Sequence, residues 1–189
     1  MPRHVDLILL PQLRTHKPHE GWRTLILPLI DQWPLSDRYD FSVPWDAPEN
    51  QFAVNSTIPT YSCPADLAST KTPTVTNYVL LTGTGTIFEF GKQGRLVEIL
   101  DGTSGTIMAV ELRGSFNNWC APRDLDIEGF VAMFGPHGLG QSASPHPGGL
   151  NVLFADGLVR FLSFSLDSET VRALATSAGG EVVDLEELF

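Results

Sequence analysis

The clearest pattern of apolar and polar positions runs from residue 149 to 163, GLNVLFADGLVRFLS, where two β-prone runs flank Asp156-Gly157. Asp-Gly suits the positive φ angles of a two-residue type I′ turn, whose twist matches the strands it joins, so this stretch predicts a hairpin. On its first strand Val152 and Phe154 share a face opposite Asn151, Leu153 and Ala155; on its second, Val159 and Phe161 lie opposite Leu158, Arg160 and Leu162. Both faces are largely apolar, which predicts a central position in the sheet with cover on both sides.

Three more runs read as strands of the same antiparallel sheet: residues 77–83 (NYVLLTG), 86–90 (TIFEF) and 106–112 (TIMAVEL), each bounded by Gly-containing turns. Residues 95–100 (RLVEIL) suit a helical turn leading into Asp101-Gly102. Helical spacing appears twice. In residues 22–30 (WRTLILPLI), Trp22, Leu25, Ile26 and Leu29 form an apolar stripe, Pro28 must kink or shorten the helix, and its end is expected near Trp33-Pro34. Asp167 reads as the N-cap of a helix over 168–176, with Val171, Leu174 and Ala175 on one face and Gly179-Gly180 beyond its end. Residues 35–74 are rich in Pro, Asn, Asp and Ser, with scattered anchors such as Tyr39, Phe41, Trp45, Ile58 and Tyr61, and predict a long irregular segment. Residues 181–189 alternate apolar and acidic side chains and fit an edge strand or a short helix equally well.

These elements predict an α+β fold: a mainly antiparallel β-sheet with a central DG-turn hairpin, a short N-terminal helix and a C-terminal helix. Residues 1–20 lack any sustained period and read as an irregular lead-in, and residues 21–189 as a single domain of a length that buries a substantial core.

The formal net charge of -10, with only 12 Lys and Arg spread along the chain, argues against nucleic acid and anionic membranes as partners. The apolar run at residues 5–10 is interrupted by Asp6 and closed by Pro11, far short of the roughly 20 residues a membrane span needs. Neither a transmembrane segment nor an export leader is expected in this stretch.

No nucleophile elbow, zinc-protease motif, P-loop or dinucleotide fingerprint occurs, and the glycine-bearing loops at 83–85 and 135–140 are not followed by a helix carrying lysine, so an enzyme is not expected. Asp101, Glu111, Asp124, Asp126, Glu128 and Asp156 are hard oxygen donors of the kind calcium takes, and the alternating acids of residues 124–128 would project together from an extended backbone. A solvated acidic edge is the competing reading, so no cofactor is expected, with calcium the alternative. His4, His16 and His19 in the lead-in read as solvated, and His137, in residues 135–138, makes no better case for ligation or catalysis than His146. His146 precedes Pro147-Gly148-Gly149, where its ring is placed to hydrogen-bond the turn or a buried carboxylate; a structural role is expected over ligation or catalysis. Cys63 and Cys120 have no C-x-x-C spacing and are either two buried thiols or one long-range disulfide of an oxidising compartment.

Nine residues separate His146 from Asp156, and residues 144–163 (SPHPGGLNVLFADGLVRFLS) closely resemble the signature of the DUF1559 family, the prepilin-type processing-associated H-x9-DG domain abundant in planctomycetes. His146, Gly148, Gly149, Asp156 and Gly157 carry the match. Further landmarks are similar: residues 21–31, 44–50, Cys63-Pro-Ala-Asp66, Asn77-Tyr78, residues 101–104 with Glu111, and residues 179–183. The resemblance implies a pseudopilin-like domain outside the cytoplasmic membrane, here without the hydrophobic N-terminal helix of such proteins. Its implied role is a structural or interaction domain of the cell envelope, with protein partners or self-assembly in a pilin-like complex; a calcium- or small-ligand-binding module is the alternative.

Overall fold

The computed structural model describes residues 21–67, 72, 74–89, 94–114 and 118–189; the lead-in, with its three histidines, lies outside the described residues. The fold is built on a five-stranded mixed sheet in the order β3-β1-β2-β4-β5. Its strands are β1 (Tyr78–Thr82), β2 (Ile107–Glu111), β3 (Leu125–Asp126), β4 (Gly149–Phe154) and β5 (Val159–Ser163). Three pairings are antiparallel, with Val79 opposite Val110, Val110 opposite Val152, and Val152 opposite Arg160. The short β3 adds a parallel edge to β1, pairing Leu125 with Leu81. Residues 86–90, predicted as a strand, contribute only an isolated bridge between Phe88 and Thr82 among the described residues.

Strand alternation gives the sheet two unlike faces. One carries Val79, Leu81, Ile107, Val110, Leu150, Val152, Phe154 and Leu162, all buried. Against it pack α4 (Ile127–Val131), through Ile127, Phe130 and Val131, and α6 (Ser168–Ala175), through Val171, Leu174 and Ala175. Both helices begin on an aspartate cap: Asp126 accepts from the Glu128 N–H, and Asp167 from those of Glu169 and Thr170. Such caps satisfy backbone donors that a helix start leaves without an intrahelical acceptor. Residues 181–189 form no strand; Val183, Leu185 and Leu188 lie against this core, and Phe189 meets Phe154 edge to face at 5.8 Å.

A second apolar cluster gathers the irregular N-terminal half. Leu27, Tyr39, Ala53, Ile58, Tyr61, Trp119 and Cys120 are its buried members. Its chain runs through single turns: α1 (Trp22–Leu25), a 3-10 turn at Leu27–Ile30, α2 (Trp33–Ser36), α3 (Gln51–Val54), and 3-10 turns at Pro48–Asn50 and Pro59–Tyr61. A further short helix, α5 (Gly140–Ala143), precedes β4. Among the described residues, no helix is long and apolar enough to cross a membrane.

Three local expectations need correction. Pro28 divides the first helical stretch into an α turn and a 3-10 turn, and Trp33-Pro34 begins the next turn instead of ending the first. The buried residues there are Arg23, Thr24 and Leu27, whereas Leu29 is 57% exposed. The interior side of the turn is set by Arg23, whose guanidinium reaches the Tyr78, Ala121 and Arg123 carbonyls and Asp124, so Trp22, Leu25 and Ile26 lie beside it only half-buried. The DG hairpin closes through three residues, not two: Phe154 and Leu158 still share a backbone bond, the Gly157 N–H donates to Phe154, and only Gly157 takes positive φ, at 89°. This is the three-residue closure with glycine in the left-handed region. The hairpin is also not central. Its β4 is interior, but β5 ends the sheet, leaving Val159 66% and Phe161 45% exposed on the face away from α4 and α6.

Candidate functional site

Polar chemistry concentrates on the opposite sheet face from the helices. Glu111 ends β2 and Asn151 lies on neighbouring β4, both on that face; both side chains therefore meet there. The loop before β4 brings His146 over them, held by a bond from its own N–H to the Ser144 hydroxyl. From the other half of the chain, the loop after Tyr61 adds Cys63, whose N–H donates to the Asn77 side chain. Asn77 is itself fully buried and donates to the Asp66 carboxylate and the Leu112 carbonyl, and Asp66 also accepts from the Gly114 N–H.

The result is a compact Cys63–Glu111–His146 cluster. His146 Nε2 lies 2.7 Å from Glu111 Oε1, Cys63 Sγ lies 3.8 Å from the same Nε2, and Asn151 donates to Glu111 Oε2 at 3.1 Å. One ligand-capable atom from each of the three residues falls within 4.8 Å of the others. Glu111 is 8% exposed and His146 27%. Burial pushes the Glu111 carboxyl up, but bonds from Cys63, Asn151 and His146 outweigh it and hold the group below its ordinary value, so it is an ionised acceptor at neutral pH. Burial and the adjoining Glu111 push the Cys63 thiol up.

The sequence-predicted carboxylates do not converge. Asp101 accepts from the N–H groups of Gly179 and Gly180. Asp124 accepts from Arg23, Trp22 and the Leu80 N–H. Asp126 caps α4, and Glu128 pairs with Arg172 at 2.6 Å. Asp156 accepts from the Leu158 N–H inside the hairpin turn and stands 4.0 Å from Arg160. Of the calcium candidates only Glu111 belongs to the cluster, because the backbone at 124–128 turns from strand into helix after Asp126 and sends its acids in different directions. Cys63 and Cys120 are not joined: Cys63 sits beside His146 and Glu111, whereas Cys120 is packed with Trp119 and Leu27, where burial pushes its thiol up to about 12.

The glycines beside the site have steric roles. Gly148 takes φ of 84°, and its carbonyl accepts from the Phe164 N–H. At Gly149 an added Cβ would lie 2.3 Å from the Leu162 carbonyl oxygen and 2.6 Å from the Phe161 ring, so only glycine lets β5 approach. The exposed His137 lies in a separate turn. At the 83–85 loop the Gly85 N–H already donates to the Glu89 carboxylate, which puts a negative charge where a phosphate would need donors.

Reading residue by residue missed the participation of Cys63 and Asn151, and it missed Arg23. Asn151 is the one detectable signal, an amide inside an otherwise apolar strand. Arg23 is fully buried and donates to the carbonyls of Tyr78, Ala121 and Arg123 and to Asp124. With the Asp124 bond to Leu80, this pair satisfies the stretch of the β1 edge that β3 does not cover.

The family described as "Protein of unknown function (DUF1559)" matches residues 10–123 and 113–169. The chain belongs to this family. The matched DUF1559 segments include all four members of the polar cluster, Cys63, Glu111, His146 and Asn151, together with the hairpin. No curated protein and no solved structure matches the chain.

Proposed function

We propose that this DUF1559 chain is a non-enzymatic structural or interaction domain of the cell envelope that associates with a second copy of itself through β5. The observation that carries this is the exposed edge strand: Val159 and Phe161 are 66% and 45% exposed, Leu158 just before the strand is 54% exposed, and among the described residues no strand covers the outer side of β5. An unpaired edge with apolar side chains is a template for strand addition. Antiparallel pairing of β5 with its own copy is self-complementary, as a two-fold interface requires.

The polar cluster supports the non-enzymatic side of the reading. A nucleophile–base pair needs one imidazole nitrogen for the thiol and the other for the orienting carboxylate. Here Cys63 and Glu111 both address Nε2, and the raised thiol is the inert form. Placement in the envelope, in a pseudopilin-like assembly, rests on the resemblance of residues 146–157 to the H-x9-DG signature.

Sedimentation equilibrium tests the proposal. The wild-type chain should dimerise with rising concentration, and added salt should strengthen association by screening the repulsion between two copies of charge -10. Val159→Lys should stay monomeric under the same conditions. A wild-type chain that remains monomeric at every concentration and ionic strength would overturn the β5 interface.

A further inference from the structure

We propose that Cys63, Glu111 and His146 form a binding site for one divalent transition-metal ion of borderline softness, with zinc the best fit. The inference is independent of the β5 interface. Three different donor types, a thiol sulfur, an imidazole nitrogen and a carboxylate oxygen, come from three distant segments and converge within 4.8 Å. Sulfur and imidazole together select against calcium and magnesium, which take oxygen donors, and favour zinc and its neighbours.

The distances suit this use. With metal–ligand bonds of about 2.0–2.3 Å, tetrahedral donors stand about 3.4–3.6 Å apart. The Sγ–Nε2 separation of 3.8 Å is already close to that. The Nε2–Oε1 separation of 2.7 Å is that of a hydrogen bond and has to open by about 0.7 Å as the ion replaces the shared proton. The supporting contacts are of the kind that hold ligands in place. Asn151 anchors Oε2 and leaves Oε1 facing the imidazole, Ser144 fixes the His146 backbone, and Asn77 fixes that of Cys63. Partial exposure of His146 leaves a side from which water can complete the coordination.

Proton balance follows from the ligand set. Nε2 must offer its lone pair, so the imidazole proton moves to Nδ1. The thiol proton leaves to solvent, and the ion with one thiolate and one carboxylate makes a site of zero net charge. Binding therefore releases about one proton per ion when the imidazole is neutral.

The test uses the full, metal-stripped chain. Isothermal titration with zinc chloride in buffers of different ionisation enthalpy should give one site per chain with release of about one proton. Cobalt(II) should give a thiolate-to-cobalt charge-transfer band. Cys63→Ala should abolish that band, and His146→Gln should weaken zinc binding at least about tenfold, while Cys120→Ala and a variant with His4, His16 and His19 all changed to alanine should behave as wild type. Calcium in excess should not compete. The proposal is overturned if the wild type shows no charge-transfer band, or if zinc binding survives Cys63→Ala and His146→Gln unchanged. Should either variant fail to fold, the wild-type cobalt spectrum decides the matter alone.

Discussion

Breaking the Arg23–Asp124 pair is the most demanding test of the packing described above. Arg23 has no exposed surface and makes four hydrogen bonds, three to main-chain carbonyls and one of 2.8 Å to Asp124, which is 14% exposed. Burial drives the guanidinium below its ordinary value, and Asp124 works against that shift. Removing one member of a buried pair costs about 3–5 kcal/mol, because the other charge stays buried without its counter-charge. Arg23→Met should fall at the lower end, about 3 kcal/mol, since Asp124 keeps its bonds from Trp22 and Leu80 and some access to water. Asp124→Leu should cost more, about 4–5 kcal/mol, because a guanidinium cannot shed its proton at neutral pH. The double variant should cost at least about 2 kcal/mol less than the sum of the singles, as expected of residues in direct contact. Urea unfolding followed by tryptophan fluorescence measures all three; with a slope of about 2 kcal/mol per molar urea, Arg23→Met should lower the midpoint by about 1.5 M. A single-variant cost below about 1 kcal/mol, or singles that add to within about 0.5 kcal/mol, would refute the reasoning.

Two further predictions concern the polar cluster and its hairpin. The Glu111 carboxyl is held below its ordinary value in the folded chain, so its contribution is present above the unfolded carboxylate pKa of about 4.3 and is lost as pH falls through the lower folded value. Urea midpoints of wild type and Glu111→Gln should therefore differ at pH 6 and converge in acid; a gap that persists unchanged to pH 2.5 would contradict this. Gly149→Ala drives a methyl group into the Leu162 carbonyl and the Phe161 ring and should cost at least about 2 kcal/mol, whereas Gly157→Ala meets open space and incurs only the left-handed backbone cost of about 1 kcal/mol. Thermal melts of the two variants rank them, and equal losses would count against the close approach of β5 to β4.

Local chemistry was legible where neighbours in sequence decide the outcome. The β1 and β2 runs, the turn at Leu96–Glu98, the α6 helix with its Asp167 cap, and the hairpin around Asp156-Gly157 all follow from period, cap or turn residues. Finer detail was lost where two local solutions are compatible with the same letters. Asp-Gly serves a two-residue or a three-residue closure, and the choice falls to how Phe154 and Leu158 pair. The two-residue β3 falls within the stretch that reads as extended, but a strand so short shows no alternation to bound it, and its acids resemble a ligand row until the backbone enters α4.

By itself, then, the sequence determined the α+β class, the hairpin, the capped C-terminal helix and the family signature, because each depends on contacts spanning a few residues. Only the tertiary structure decided that β5 is an edge, that Arg23 is interior, and that Cys63 meets His146 83 positions away and His146 meets Glu111 across 35. The physical reason is the same for all three. The worth of a buried charge, a thiol or an exposed strand is set by what the rest of the chain brings to within a few ångströms, and a one-dimensional pattern carries no record of that partner.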